Sequence, residues 1–169
     1  MKIIVNDANI LIDLVELQLL PHFFGLEFEF TTTNLIIDEL LADQQEALSP
    51  YVDKGELIIA EVSEEDVLQI AMINSQKPTL SEQDCSAFLQ AQNNGATLLT
   101  SDNSLRKFAK ENELPVHGHL WVFDCMVEQG TITGERACLK LQILTEEINP
   151  RLGLPKKECS SRIALWKKT

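Results

Sequence analysis

The residues most able to do chemistry in this sequence are acidic: Asp7, Asp84, Asp102 and one of the neighbours Asp38 and Glu39. Carboxylates gathered at one place suit a divalent cation. Hard oxygen ligands favour Mg²⁺ or Mn²⁺ over softer metals, and Mg²⁺ keeps waters that a substrate phosphate can replace. One such ion polarises a scissile phosphate and activates a water, and a second steadies the departing oxygen. Phosphodiester hydrolysis is the reaction class this points to.

Asp84 is the most informative of the set. On a helical wheel of about 100° per residue, Ala87, Phe88 and Ala91 fall on the same face as Asp84. The carboxylate therefore points toward the interior, where a charge is costly unless a cation or several donors compensate it. The plainer account is a capping box, Ser81-x-x-Asp84, in which the side chain serves a backbone N–H. Asp7 and Asp102 also stand where a helix N-cap belongs, and Asp is a favoured cap. Capping and ligation are compatible. The positive end of a helix dipole helps nearby carboxylates stay ionised, and a bound cation removes their repulsion. Between Asp38 and Glu39 periodicity does not choose, since both lie equally far from the apolar centre of a helix read over Asn34–Ala42.

The elements that must position these residues follow from pattern and punctuation. Lys2–Asn6 reads as a strand buried on both faces, running into Asp7 and a helical pattern that Pro21 stops near Leu20. Phe28–Thr31 is a second short strand, and Thr33 or Asn34 caps the next helix. Leu57–Val62 is a strand closed by Ser63, which with Asp66 opens another helix. A helix from Ser81 stops at Gly95, Ala96–Thr100 is a strand, and a helix follows Asp102 to about Asn112. Leu114–His117 is a short strand, and two helices separated near Gly130–Gly134 come after it. Alternating strands and helices predict a three-layer α/β/α fold with a central, mostly parallel sheet. In such sheets the functional crevice lies beyond the carboxyl ends of the strands, where Asp7 and Asp102 fall.

The ordered segments D-A-N-I-L-I at Asp7–Ile12, I-I-D-E-L-L at Ile36–Leu41, L-S-E-Q-D at Leu80–Asp84 and L-L-T-S-D-N-S-L-R at Leu98–Arg106 resemble the PIN-domain family. The resemblance spans roughly residues 1–130, and the later H-G-H-L-W-V-F-D and G-T-I-T stretches are similar to the family's C-terminal pattern. It implies a PIN-like fold and a site of Asp7, Glu39, Asp84 and Asp102 holding Mg²⁺ or Mn²⁺. Glu39 is preferred over Asp38 because Leu40 follows it. Asp7, Asp84 and Asp102 are implied as direct or water-mediated ligands, and Glu39 as a further ligand or an orienter of the attacking water. Asn9 occupies the small polar position two after the first Asp. Ser101 stands where many relatives carry an additional acid, so the fourth corner rests on Asp102 alone. The implied function is a metal-dependent endoribonuclease, the toxin half of a bacterial toxin–antitoxin pair. An antitoxin-like protein that covers the site and a homodimer are implied as partners.

Length and composition set the frame. The chain has 169 residues, 44% of them hydrophobic, which suits one domain with a real core. No uncharged apolar run approaches a membrane span, and Asp7 interrupts the stretch a signal peptide needs, so the expected location is the cytoplasm. Cys85, Cys125, Cys138 and Cys159 show no metal-type spacing and are expected as free thiols. The net charge of −12 cuts against a nucleic-acid substrate, but the distribution softens the objection. Residues 151–169 carry six basic side chains against Glu158 alone, while the first 150 carry eight basic and 25 acidic ones. Residues 1–150 are therefore read as the PIN-like domain and 151–169 as a basic C-terminal arm. Arg106 and Lys110 share a helix face and fit either a phosphate backbone near the site or solvent. His117 and His119 are expected as ordinary loop histidines, without the further ligands zinc would need. Phe23, Phe24, Phe28 and Phe30 fit core or interface packing.

Two other functions compete. A non-catalytic PIN-like module that binds protein or RNA is compatible with Ser101 and the acidic body. A phosphatase or phospho-acceptor domain also ends its first strand in Asp, but the phosphatase version wants a second acid where Asn9 stands.

Overall fold

The computed structural model describes residues 1–169. Five strands, β1 (Ile3–Asn6), β2 (Glu29–Thr33), β3 (Leu57–Ala60), β4 (Thr97–Leu99) and β5 (Val116–His117), form one sheet. Every pairing is parallel, in the order β3-β2-β1-β4-β5. A parallel sheet must be covered on both faces, and β1 shows why its first three residues are apolar: Ile4 and Val5 are both fully buried. Val5 pairs with Thr31 on one side and Leu98 on the other, so β1 is the sheet's central strand. The chain moves outward from β1 through β2 to β3, then returns to β1's other side for β4 and β5. The ends of β1 and β4 flank the point where that direction reverses, the usual place for a crevice in an open parallel sheet.

Ten α-helices flank the sheet. The first stretch of helix departs from its expected course. Instead of one helix stopped by Pro21, α1 (Ala8–Glu16) ends first and α2 (Leu20–Phe24) begins around that proline. Gln18, at φ +57°, makes the corner, and Pro21 sits in the first turn of α2, where a missing N–H costs nothing.

The helix expected over Asn34–Ala42 is also divided. α3 (Asn34–Glu39) stops, Leu40 and Leu41 are extended, and α4 (Ala42–Asp53) follows. Side-chain amides make the break. Gln45 Nε2 donates to the Ile37 and Leu40 carbonyls at 2.8 and 3.2 Å, and Gln44 Oε1 accepts the Leu41 N–H at 2.9 Å. Three backbone groups that a continuous helix would satisfy internally are thereby served another way.

The remaining helices are α5 (Glu64–Gln76), α6 (Glu82–Asn93), α7 (Asn103–Glu111), α8 (His119–Glu128), α9 (Gly134–Ile143) and α10 (Lys156–Trp166), with a π-helical turn at Leu144–Ile148. Phe23, Phe24 and Phe30 are buried against one another, while Phe28 stacks on Trp121. The four cysteines are unpaired.

His119 is not a loop histidine. It opens α8, is 3% exposed, and places Nε2 2.8 Å from Asp13 Oδ2, which also accepts from Asn149 Nδ2 at 3.2 Å. A buried carboxylate needs such partners, and Asp13 on α1 gains them from across the fold. The basic segment docks on the same body. In α10 Trp166 is buried against Phe123, and Asp124 of α8 accepts from both Trp166 Nε1 (3.1 Å) and Arg162 Nε (2.9 Å). No helix is long and apolar enough to cross a membrane.

Candidate metal centre

Asp7 lies one residue beyond β1, and its N–H donates to the Leu99 carbonyl of β4 at 3.0 Å. That bond extends the sheet by one step and fixes the side chain at the switch point. Asp7 caps α1 through Oδ1, which accepts the Ala8 N–H at 2.8 Å, and its Oδ2 accepts the Thr100 hydroxyl at 2.7 Å. Thr100 Oγ1 in turn accepts the Asp102 N–H at 3.0 Å. One buried hydroxyl thus ties the acid that follows β1 to the acid that follows β4. Asp102 caps α7, its Oδ1 accepting the Leu105 N–H at 2.7 Å.

Asp84 forms the capping box expected of Ser81-x-x-Asp84. Its Oδ2 accepts the Ser81 N–H at 2.9 Å, while its own N–H donates to Ser81 Oγ at 3.0 Å. Ala87, Phe88 and Ala91 are buried below it, so the carboxylate does lean toward the sheet. The cap is not its whole environment. Burial raises the Asp84 carboxyl above its ordinary pKa, with the charge of Asp102 adding to the rise against the Ser81 bonds. Burial followed by the charge of Asp84 also raises Glu39. Asp7 is pushed from 3.8 to about 7, first by burial and further by Asp84 and Glu39, against the Thr100 and Ala8 hydrogen bonds. The charge of Asp84 is thus felt by Asp7 and Glu39, and that of Asp102 by Asp84.

The start of α3, the helix that carries Glu39, is tied to α6 by a second set of contacts. Thr33 caps α3, accepting the Ile36 N–H, and its hydroxyl lies 2.7 Å from Ser86 Oγ on α6. Ser86 spends its own hydrogen on the Gln83 carbonyl at 2.7 Å, so Thr33 is the donor between them. The helices bearing Glu39 and Asp84 are joined through this pair.

The donor chemistry fits a hard divalent cation. Asp84 Oδ1, Asp102 Oδ2 and both Glu39 oxygens accept no hydrogen bond from the protein. Asn9, in the first turn of α1, has a buried Oδ1 without any partner. Free carboxylate and amide oxygens are hard donors of the kind such a cation takes. No three of these side chains close into a finished ligand cage. An ion such as Mg²⁺ needs only one or two carboxylates besides its waters.

The other expected site residues divide. Ser101 and Arg106 line one groove beside Asp102, whereas Lys110 is exposed and lies outside it. Thr100 and Ser86 carry no charge and sequence reasoning gave neither a role, while Thr33 was read only as a candidate cap, the place it takes at the start of α3. For Thr100 the available signal was its place between a strand end and a capping Asp. The largest cavity, about 820 Å³, lies between α9 and α10 and includes none of the four acids.

No curated protein sequence matches the chain significantly. A family model described as a PIN domain matches residues 3–156, nearly the whole of the sheet and its helices. The chain belongs to the PIN-domain family, whose members are generally nucleases.

Proposed function

We propose that this protein is a metal-dependent endoribonuclease that hydrolyses RNA phosphodiester bonds at Asp7, Glu39, Asp84 and Asp102, with Mg²⁺ or Mn²⁺ as cofactor. The observation that carries the reading is the position of Asp84, whose charge acts on Asp7 and Glu39 and which itself feels Asp102. When bound, the cation supplies charge neutralisation at the scissile phosphate and a more acidic water. Asp84 and Asp102 offer it their free oxygens. Asp7, steadied by Ala8 and Thr100, is the buried anchor. Glu39, exposed and without a protein partner, would be a further ligand or would orient the attacking water. Membership of the PIN family supports a toxin-type setting, with an antitoxin-like protein covering the site and a homodimer as the functional unit.

Asparagine substitutions test this cleanly. In Asp7, Asp84 and Asp102 an Asn side chain keeps the capping oxygen and loses the charge. Cleavage of RNA with Mg²⁺ or Mn²⁺ should fall at least about a hundredfold in Asp7→Asn and Asp84→Asn, as the loss of a stabilising charge implies, with the unfolding temperature not lowered. Full activity in either variant contradicts the assignment.

A second reading, a non-catalytic PIN-like module, is favoured by Ser101 at the corner where relatives carry another acid and by the open arrangement of the carboxylates. Tight Mn²⁺ binding with no cleavage of any RNA supports that module instead.

A further inference from the structure

A polar groove of about 370 Å³ opens beside Asp102, starting at Ser101 and running between α7, the start of α8 and the C-terminal segment. One wall carries Arg106, His117 and Trp121; the other carries Glu158 and Arg162. Its volume is near the low end of the roughly 300–1,000 Å³ typical of small-ligand sites, room for one nucleotide rather than a folded RNA element.

Arg106 is the one Lys or Arg lining the groove that has no carboxylate partner. The ion pairs of the protein are Lys77–Glu111, His119–Asp13 and Arg162–Asp124. Arg162 is thus neutralised by α8, and Glu158 repels anions at that end of the groove. Among the lining residues the free positive charge is Arg106, and Lys2 Nζ lies 5.1 Å from the centroid of the Trp121 ring. The fold makes room for it. A Cβ on Gly118 would stand 2.5 Å from Arg106 Nη1, so the guanidinium rests where only a glycine allows it.

Behind Arg106 lies an aromatic platform. The His117 ring stacks on Trp121 with centroids 4.6 Å apart and planes 4° apart, and Phe28 stacks on the same indole at 5.5 Å. Burial, followed by the charges of Lys2 and Arg106, lowers the His117 pKa, which keeps the ring an uncharged π surface. Flat rings of this kind hold unpaired bases by stacking, worth about 1–3 kcal/mol per base.

We propose that this groove holds one nucleotide of the RNA strand next to the scissile phosphate, its phosphate paired with Arg106 and its base stacked on the face of His117 that is turned away from Trp121. The groove then sets which base is accepted beside the cut. The assignment rests on the ribonuclease reading, and it deepens that reading into a specificity site.

The test uses the full chain without divalent cation, titrated with AMP, CMP, GMP and UMP while tryptophan emission is followed. Trp166 is buried at 2% exposure, so a quench reports Trp121. A saturable quench is expected that differs several-fold among the four bases and is competed away by a short RNA. Arg106→Gln and Gly118→Ala should each weaken it about tenfold, the loss of a charged hydrogen bond. Gly118→Ala displaces only the end of a flexible side chain, so its fold should hold; if it does not, Arg106→Gln carries the test. In cleavage assays Arg106→Gln should raise KM, and His117→Ala should flatten the base preference beside the cut. No quench, a quench that RNA does not compete, or an unchanged preference in both variants overturns the proposal. If the chain cuts no RNA but quench and competition persist, the nuclease reading fails while the nucleotide groove stands.

Discussion

Asp7 is a buried acid whose ionisation the fold opposes, and this has a thermodynamic consequence. Folded Asp7 keeps its proton to about pH 7, whereas the ordinary side chain releases it at 3.8. Between those values the folded chain binds more protons than the unfolded one. In the absence of divalent cation, stability should therefore fall as pH rises from about 4 to about 7, then level off. The Asp7 contribution to that slope is at most about 1.4 kcal/mol per pH unit. Unfolding temperature measured against pH in EDTA should show the decline in the wild type and lose that part of it in Asp7→Asn. Identical profiles for the two proteins would contradict the burial argument. At this scale the sequence was legible where a residue's place follows from its own element. Strand ends located Asp7 and Asp102, and a helical wheel located Asp84. Thr100 was not legible, because its role is a hydrogen bond to a residue 93 positions away. The Asp13–His119 pair, 106 positions apart, was hidden for the same reason.

The elements show both what pattern conveys and what it misses. The apolar β1, the capping box at Ser81 and the short β5 follow from periodicity and caps. Glu39 was chosen over Asp38 by resemblance alone, and what sets it apart is burial together with the charge of Asp84 on another helix, which raise its pKa. The breaks at Gln18 and at Leu40–Leu41 depend on a left-handed corner and on glutamine side chains serving backbone carbonyls, which no wheel encodes. The docking of α10 also lies outside pattern. It depends on a close approach in which a Cβ on Gly134 would meet the Trp166 carbonyl oxygen at 2.0 Å. Both atoms that would clash nearest belong to backbone, so α10 must move. Gly134→Ala should cost about 1–3 kcal/mol, the usual range for overpacking, read as a drop in the urea midpoint. Unchanged stability would mean that α10 is not held against α9 in solution.

For the molecule as a whole, the alternation of strand and helix conveyed the parallel sheet and its switch point, and hence where a site belongs. Charge conveyed less. A net −12 argues against RNA only if the charge is taken as uniform, and the basic residues concentrate at residues 151–169. That segment is less free than its composition suggests, since Arg162 and Trp166 are both bound by Asp124. The family match ends at residue 156, so most of α10 extends past it and supplies one wall of the groove beside Asp102. The central claim is that carboxylates from four separated segments share a cation. Crystals soaked in Mn²⁺ and measured at the manganese absorption edge test it most directly. The account predicts an anomalous peak within ligand distance of Asp84 and at least one of Asp7 and Asp102, about 2.0–2.3 Å for carboxylate oxygens. No peak there at saturating Mn²⁺, with Asp84 bonded only to Ser81, would contradict it.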